Sequence, residues 1–302
     1  MTLKMDRATA IEASIRFLEN PSSFTSDSDE ISRRKWDGAW WHMTALYEMG
    51  EAKSIPAPAV ERAKHLLHTQ VWRKFVIHTE DAPVLPEDLD LWDCCHCELA
   101  TFYQVLSACG CDLEREMPWI REWLLSHQLP DGGLNCDPDA YLYSHKSSIV
   151  STLPPLEVVL SHTKGRDFTE KELHFLDEGA RYLIEHQLVC SKSSGQVIHA
   201  DWLKPCFPRF FEYDLLRGLN FLVGWSKLRS TALPEGFVEK ACARMQDYID
   251  DDGKGSRQIK IGRQVWDPDG EWGGETFALL EALPGIGEVC EFLHLELEST
   301  QT

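Results

Sequence analysis

Basic residues are in short supply. The 302 residues carry 30 Lys and Arg against 49 Asp and Glu, a formal net charge of −19. That deficit argues against a nucleic-acid binder, which needs a cationic surface for phosphates, and against docking on an anionic membrane face. Long apolar runs are missing too. Nothing approaches the 18 uninterrupted apolar residues that would read as a transmembrane helix. The opening MTLKMDRATA has no apolar core of a secretory leader, so a soluble, cytoplasmic protein is expected. Period-2 alternation is scarce, which leaves strands a minor role at most. The chain has no Gly-x-Ser-x-Gly, no phosphate-cradling glycine loop and no dinucleotide fingerprint. Cysteine, by contrast, is plentiful: ten, at 94, 95, 97, 109, 111, 136, 190, 206, 242 and 290. A chain of this length buries a core without staples, so reduced thiols are expected, most of them as small buried hydrophobes.

Spacing carries the most information. Four segments end an apolar-periodic stretch in glutamine: Gln70, Gln128, Gln187 and Gln246, separated by 58, 59 and 59 residues. Arg16-Phe17-Leu18-Glu19-Asn20 stands 50 residues before the first and reads as a divergent copy. Turn residues follow, such as Pro130-Asp131-Gly132-Gly133 and Asp250-Asp251-Asp252-Gly253. Between these lie segments 36–50, 92–110, 145–162, 210–228 and 272–284, whose apolar residues fall on nearly all sides. Such helices are buried on more than one face. The glutamine-ended helices carry a charged stripe instead, as in Glu170, Glu172, Asp177, Glu178, Arg181 and Glu185. The pattern predicts five surface-then-buried helix pairs stacked as repeats. A closed ring explains such complete burial better than an open solenoid, so the expectation is an all-α protein, an α/α toroid of about five hairpins, in a single domain over 1–302.

The run Trp123-Leu124-Leu125-Ser126-His127-Gln128-Leu129-Pro130-Asp131-Gly132-Gly133-Leu134-Asn135-Cys136 resembles the glutamine–glycine repeat of squalene and terpene cyclases and protein prenyltransferase β-subunits. Leu134 stands where that repeat usually has Trp. The segment from Phe207 to Leu219 is similar to a stretch in bacterial proteins of the same superfamily. The resemblance implies the toroid more firmly than any reaction, since one fold hosts several chemistries.

In such toroids the ligand sits in a central cavity near the starts of the inner helices. The resemblance therefore implies substrate-binding roles for Trp36, Trp40, Trp92, Tyr143, Arg209, Tyr213 and Trp272. Aromatic walls with a few polar groups suit an apolar small molecule, and aromatic faces attract cations. The plainer reading is that these rings seal the joints between helices. Asp93 and Cys95 form an Asp-x-Cys, and His145 follows at the next inner-helix start. Prenyltransferase β-subunits bind catalytic zinc with that order of residues, so the resemblance implies zinc on Asp93, Cys95 and His145. Three protein ligands leave one position open. Cys136 is a further ligand candidate, and Cys94, His96 and Cys97 offer competing sets.

The Asp-x-Asp-Asp acid of class II terpene cyclases is missing. A lone buried carboxyl can act as an acid instead; Asp37 and Asp214 are the candidates, though acids at helix starts commonly cap them. Three functions remain open: an enzyme acting on an isoprenoid or similar apolar molecule, a zinc-dependent transferase or cyclase that activates a thiol, and a non-catalytic toroid binding a lipid or a protein.

Overall fold

The computed structural model describes residues 5–24, 35–69, 95–161, 166–251, 257–266 and 274–300. Helices dominate them, and the strands are two three-residue pieces, β1 (Ile249–Asp251) and β2 (Arg257–Ile259), paired antiparallel. The protein is all-α. No helix among the described residues is long and apolar enough to cross a membrane.

Chain order alternates surface and buried helices as the repeat predicts. The surface set is α1 (Arg7–Glu19), α3 (Ala57–Thr69), α6 (Trp119–Ser126), α8 (Glu170–Glu185) and α10 (Phe237–Arg244); a short α5 (Leu113–Glu116) precedes α6. The buried set is α2 (Ala39–Glu48), α4 (His96–Ala108), α7 (Ile149–Ser161), α9 (Leu215–Arg229) and α11 (Ala278–Ala282). In α2 every residue from Ala39 to Leu46 is buried, as expected of a helix apolar on all sides.

Local chemistry sets the helix starts. Asp6 accepts the Thr9 N–H at α1. Thr169 and Glu172 form a reciprocal capping box at α8. Asp214 accepts the Arg217 N–H at α9. The repeat glutamine has a mechanical role in the third copy: Gln128 Nε2 donates to the carbonyls of Gly132 and Phe175, each at 2.8 Å. It thereby ties its own turn to the next surface helix. Gly132 sits at φ +102°, and a Cβ there would lie 2.4 Å from the Glu178 carbonyl oxygen. Only glycine fits that turn against α8. At the start of α8, buried Arg121 and Glu172 pair, and Arg166 bridges Glu172 to Glu114.

The buried helices pack in sequence: α2 on α4, α4 on α7, α7 on α9, and α9 on α12 (Glu291–Ser299). The two ends of the chain also meet. α11 packs on both α1 and α2. The backbone of Lys35 and Trp36 pairs with that of Glu275, Trp36 N–H donating to its carbonyl at 2.6 Å. Arg7 pairs with Glu291.

Two features depart from expectation. The last buried helix is short: Phe277 is extended and Pro284 follows Leu283, which forces the chain out of helical geometry. Residues 272 and 273 of that segment lie outside the described residues. And α12 is an additional helix, held by buried Leu293 and Leu297, four residues apart on one face.

Candidate functional site

The start of α4 and the loop before α7 bring three thiols together. Cys95 is the N-cap of α4 and Cys97 its second residue. Cys136 arrives from a loop laced onto the start of α7. Leu134 N–H donates to Thr152 Oγ1 at 2.8 Å, Cys136 N–H to Ser151 Oγ at 3.1 Å, and Ser147 N–H to Asp131 Oδ2 at 2.8 Å. Cys95 and Cys97 Sγ lie 3.5 Å apart, Cys97 and Cys136 Sγ 3.6 Å apart, and all three sulfurs fall within 4.8 Å of one another. Thr101 Oγ1 donates to the Cys97 carbonyl at 2.8 Å, which braces the first turn.

The three thiols share charge unequally. Hydrogen bonds from Cys95 and then Cys97 draw the Cys136 thiol well below its ordinary pKa, against the burial that would raise it. Cys95 and Cys97 are held correspondingly high. The cluster therefore favours one thiolate supported by two thiol donors. The adjoining helix N-terminus favours that negative charge.

His96 lies between the two α4 cysteines in sequence but points away from them into a polar chain. Its Nδ1 accepts from Trp123 Nε1 at 3.2 Å, and its Nε2 meets the Tyr141 hydroxyl at 2.8 Å. Tyr141 in turn donates to the Asn135 carbonyl at 3.1 Å, next to Cys136. Burial pushes the His96 pKa down to about 4, so the ring is neutral and anchors the Cys136 loop. Such a partner fixes a neighbouring ligand's position.

The metal set expected from sequence is therefore altered. Cys95 is in the cluster and so is Cys136. His145 is not: it is exposed at the end of the Ala140–Ser144 turn, at φ 50°, where its backbone N–H bonds to the Ala140 carbonyl. Asp93 lies outside the described residues. Cys97 takes the third place because a helical first turn puts it beside its own N-cap. The Cys-x-Cys spacing was the signal for it.

A separate polar chamber of about 280 Å³ opens between α2, α4, α7, α9 and α12. Tyr47 and Glu48 come from α2, Thr101 and Gln104 from α4, Glu157 from α7, Arg217 and Asn220 from α9, and Glu296 from α12. The loop before α9 adds Phe207, Arg209 and Phe210. Cys97, Thr101 and Gln104 share one face of α4 at i, i+4 and i+7, so the chamber begins one turn beyond the thiols.

Of the described members of the expected substrate-binding set, Arg209 alone lines this chamber. Trp36 and Trp40 are spent on packing: Trp36 stacks on Phe210 at 5.0 Å and Trp40 on Phe102 at 3.8 Å. Tyr213 is buried and donates to the Leu188 carbonyl at 2.9 Å. Tyr143 is 73% exposed. Trp92 and Trp272 lie outside the described residues. The joint-sealing reading thus describes Trp36, Trp40 and Tyr213.

The two acids expected to move protons are placed differently from one another. Asp37 is half-buried on the turn before α2, outside the chamber. Asp214 is fully buried and caps α9. Burial would raise its pKa, but the Arg209 guanidinium, with Nε at 2.7 Å, outweighs it and holds the carboxyl below its usual range. A carboxylate kept ionised in this way is a structural anchor and not a proton donor.

Comparison with known proteins finds no match: no protein family, no curated protein and no solved structure matches the chain.

Proposed function

We propose that this chain is a zinc-dependent enzyme of the α/α-toroid kind, similar to terpene cyclases and prenyltransferase β-subunits, with Cys95, Cys97 and Cys136 as its metal ligands. The sulfur spacing carries the reading. Tetrahedral zinc with bonds of about 2.3 Å places its sulfur ligands about 3.8 Å apart. The separations of 3.5 and 3.6 Å come close to that before any ion is bound. When bound, zinc with three thiolates would supply a net-negative centre with one further coordination position, suited to holding a thiol as its thiolate. Ser151, Thr101 and the His96–Tyr141 pair would keep the three sulfurs in place.

The toroid draws support from the alternation of surface and buried helices and from the contact of α11 with α1 and α2. The isoprenoid substrate draws less, because three carboxylates and two guanidiniums stand in the chamber wall. The thiol-activating alternative is therefore preferred.

Zinc content tests the proposal. The purified chain should hold about one equivalent, Cys97→Ser and Cys136→Ser should lose most of it, and His145→Ala should keep it. Less than about 0.1 equivalent in the unmodified chain, or full retention in both serine variants, sinks the metal site. In cobalt-loaded protein, a small thiol should alter the sulfur-to-cobalt absorption bands; an unchanged spectrum removes the open position and with it the thiol substrate.

A further inference from the structure

The polar chamber takes no part in the thiol site, yet its wall is organised. It carries three carboxylates, Glu48, Glu157 and Glu296, and two guanidiniums, Arg209 and Arg217. The balance of hydrogen-bonding capacity decides what can enter. Arg209 gives Nε to Asp214 at 2.7 Å, Nη1 to Glu296 at 2.7 Å, and Nη2 to Asp214 and Glu296 at 3.2 and 2.9 Å. That occupies four of its five N–H donors. Arg217 grips Glu157 with Nε at 2.8 Å and Nη2 at 2.7 Å, and gives Nη1 to the Glu212 carbonyl at 2.9 Å.

The acceptors are less fully used. A carboxylate offers about four lone-pair positions. Glu296 has two of them filled by Arg209. Glu48 has two filled by the backbone N–H groups of Arg209 and Phe210. The wall thus keeps unfilled acceptors while its cationic donors are largely committed. Formal charge leans the same way: with Asp214 behind Arg209, four carboxylates surround two guanidiniums. An entering anion would find three guanidinium N–H groups still free, each on an arginine already paired with a carboxylate. An entering cation with N–H groups would meet acceptors on α2 and α12 across one half-open space.

Size and the apolar patch narrow the class further. A chamber of about 280 Å³ equals the volume of about nine water molecules at ~30 Å³ each, so it suits a molecule of about that many non-hydrogen atoms. Phe207 and Phe210, each stacked on another ring, add apolar carbon to the wall for a methylene stem. We propose that this chamber binds a small organic cation: an amine or guanidine on a short aliphatic stem. The proposal stands independently of the metal site.

Calorimetric titration of the full chain with 1,4-diaminobutane tests it, with 1,4-butanediol and succinate as neutral and anionic molecules of the same length. The diamine alone should bind, at one per chain, with a Kd at or below about 1 mM. Glu296→Gln, which leaves Arg209 paired with Asp214, should weaken binding by at least about tenfold. Asn220→Asp keeps the acceptor for the Ser299 hydroxyl and adds a carboxylate, so it should tighten binding several-fold. A gain of that kind does not arise from a damaged fold. No saturable binding of the diamine, equal binding of the diol or succinate, or affinities unmoved by both substitutions would overturn the proposal.

Discussion

His42 makes the join between the first and last hairpins sensitive to acid. Its ring is sandwiched between Phe17 of α1, 4.3 Å away, and Phe277 at the start of α11, 3.7 Å away. The side chain is 5% exposed and its Nδ1 has no hydrogen-bond partner. Burial pushes its pKa down from 6.5 to about 3, against the charge and the backbone hydrogen bond of Asp37, which favour the protonated ring. The unfolded chain therefore takes up a proton near pH 6.5 that the folded chain refuses until about pH 3. Stability from this residue is complete above pH 6.5 and is lost as pH falls toward the folded value. At 1.36 kcal/mol per unit, the loss relative to pH 7.5 is roughly 1 kcal/mol at pH 5.5 and roughly 3 kcal/mol at pH 4.5. Urea unfolding of the unmodified chain and of His42→Leu at these three pH values measures it. The difference between the two proteins cancels His96 and every other titrating group common to both. Whatever His42→Leu costs at pH 7.5, the gap should shift in the variant's favour by those amounts as pH falls. A gap independent of pH would falsify the buried neutral imidazole and leave the hairpin joint without a titratable component.

Two further substitutions probe the repeat itself. Gly132→Ala forces a side chain into a left-handed turn and against the Glu178 carbonyl; it should cost on the order of 3 kcal/mol in urea unfolding, and a cost below about 1 would mean the turn relaxes freely. Glu172→Gln removes the nearer carboxylate of the buried Arg121 guanidinium and leaves Glu114 at 3.9 Å; it should cost about 3 kcal/mol near neutral pH. Because Arg166, the Thr169 N–H and Arg121 outweigh burial and hold the Glu172 pKa well below 4.5, that cost should fade as pH drops below 4.5 toward the folded value; a constant penalty across acid pH would contradict the ion pair.

The repeat was legible because it is written in burial, and burial is written in composition. A helix apolar on all sides has one place to go, and five such segments alternated with striped ones. Gln128 and Gly132 were visible as a motif before their contacts were known. The short α11 and the extra α12 were harder to read for opposite reasons. Pro284 and the extended Phe277 trim a segment whose composition is helical. In α12, Leu293, Leu295 and Leu297 alternate with His294 and Glu296, a period of two that does not read as a helix. Yet α12 brings Glu296 to Arg209 and completes the chamber wall.

The site was half legible, and the reason lies in what spacing can encode. Cys-x-Cys at a helix start is a local pattern, and the helix delivers both thiols to one place whatever surrounds it. The third thiol is a tertiary matter. His145 had the right residue type and order, but its turn ends in a left-handed residue that carries the ring to solvent. Cys136, nine residues earlier, is drawn inward because Thr152, Ser151 and Tyr141 satisfy the backbone of its loop from behind. Aromatic residues misled in the same manner. Trp36, Trp40 and Tyr213 stand at inner-helix starts, where a cavity-lining residue would, but each finds a ring or a carbonyl of its own and is buried there. The residues left to face the interior space are those whose charges needed partners across it. The ring of ion pairs Asp214–Arg209–Glu296 and Glu157–Arg217 keeps that space polar. It follows that replacing these pairs with apolar side chains would fill the chamber, whereas the aromatic residues at the helix starts would tolerate only other rings.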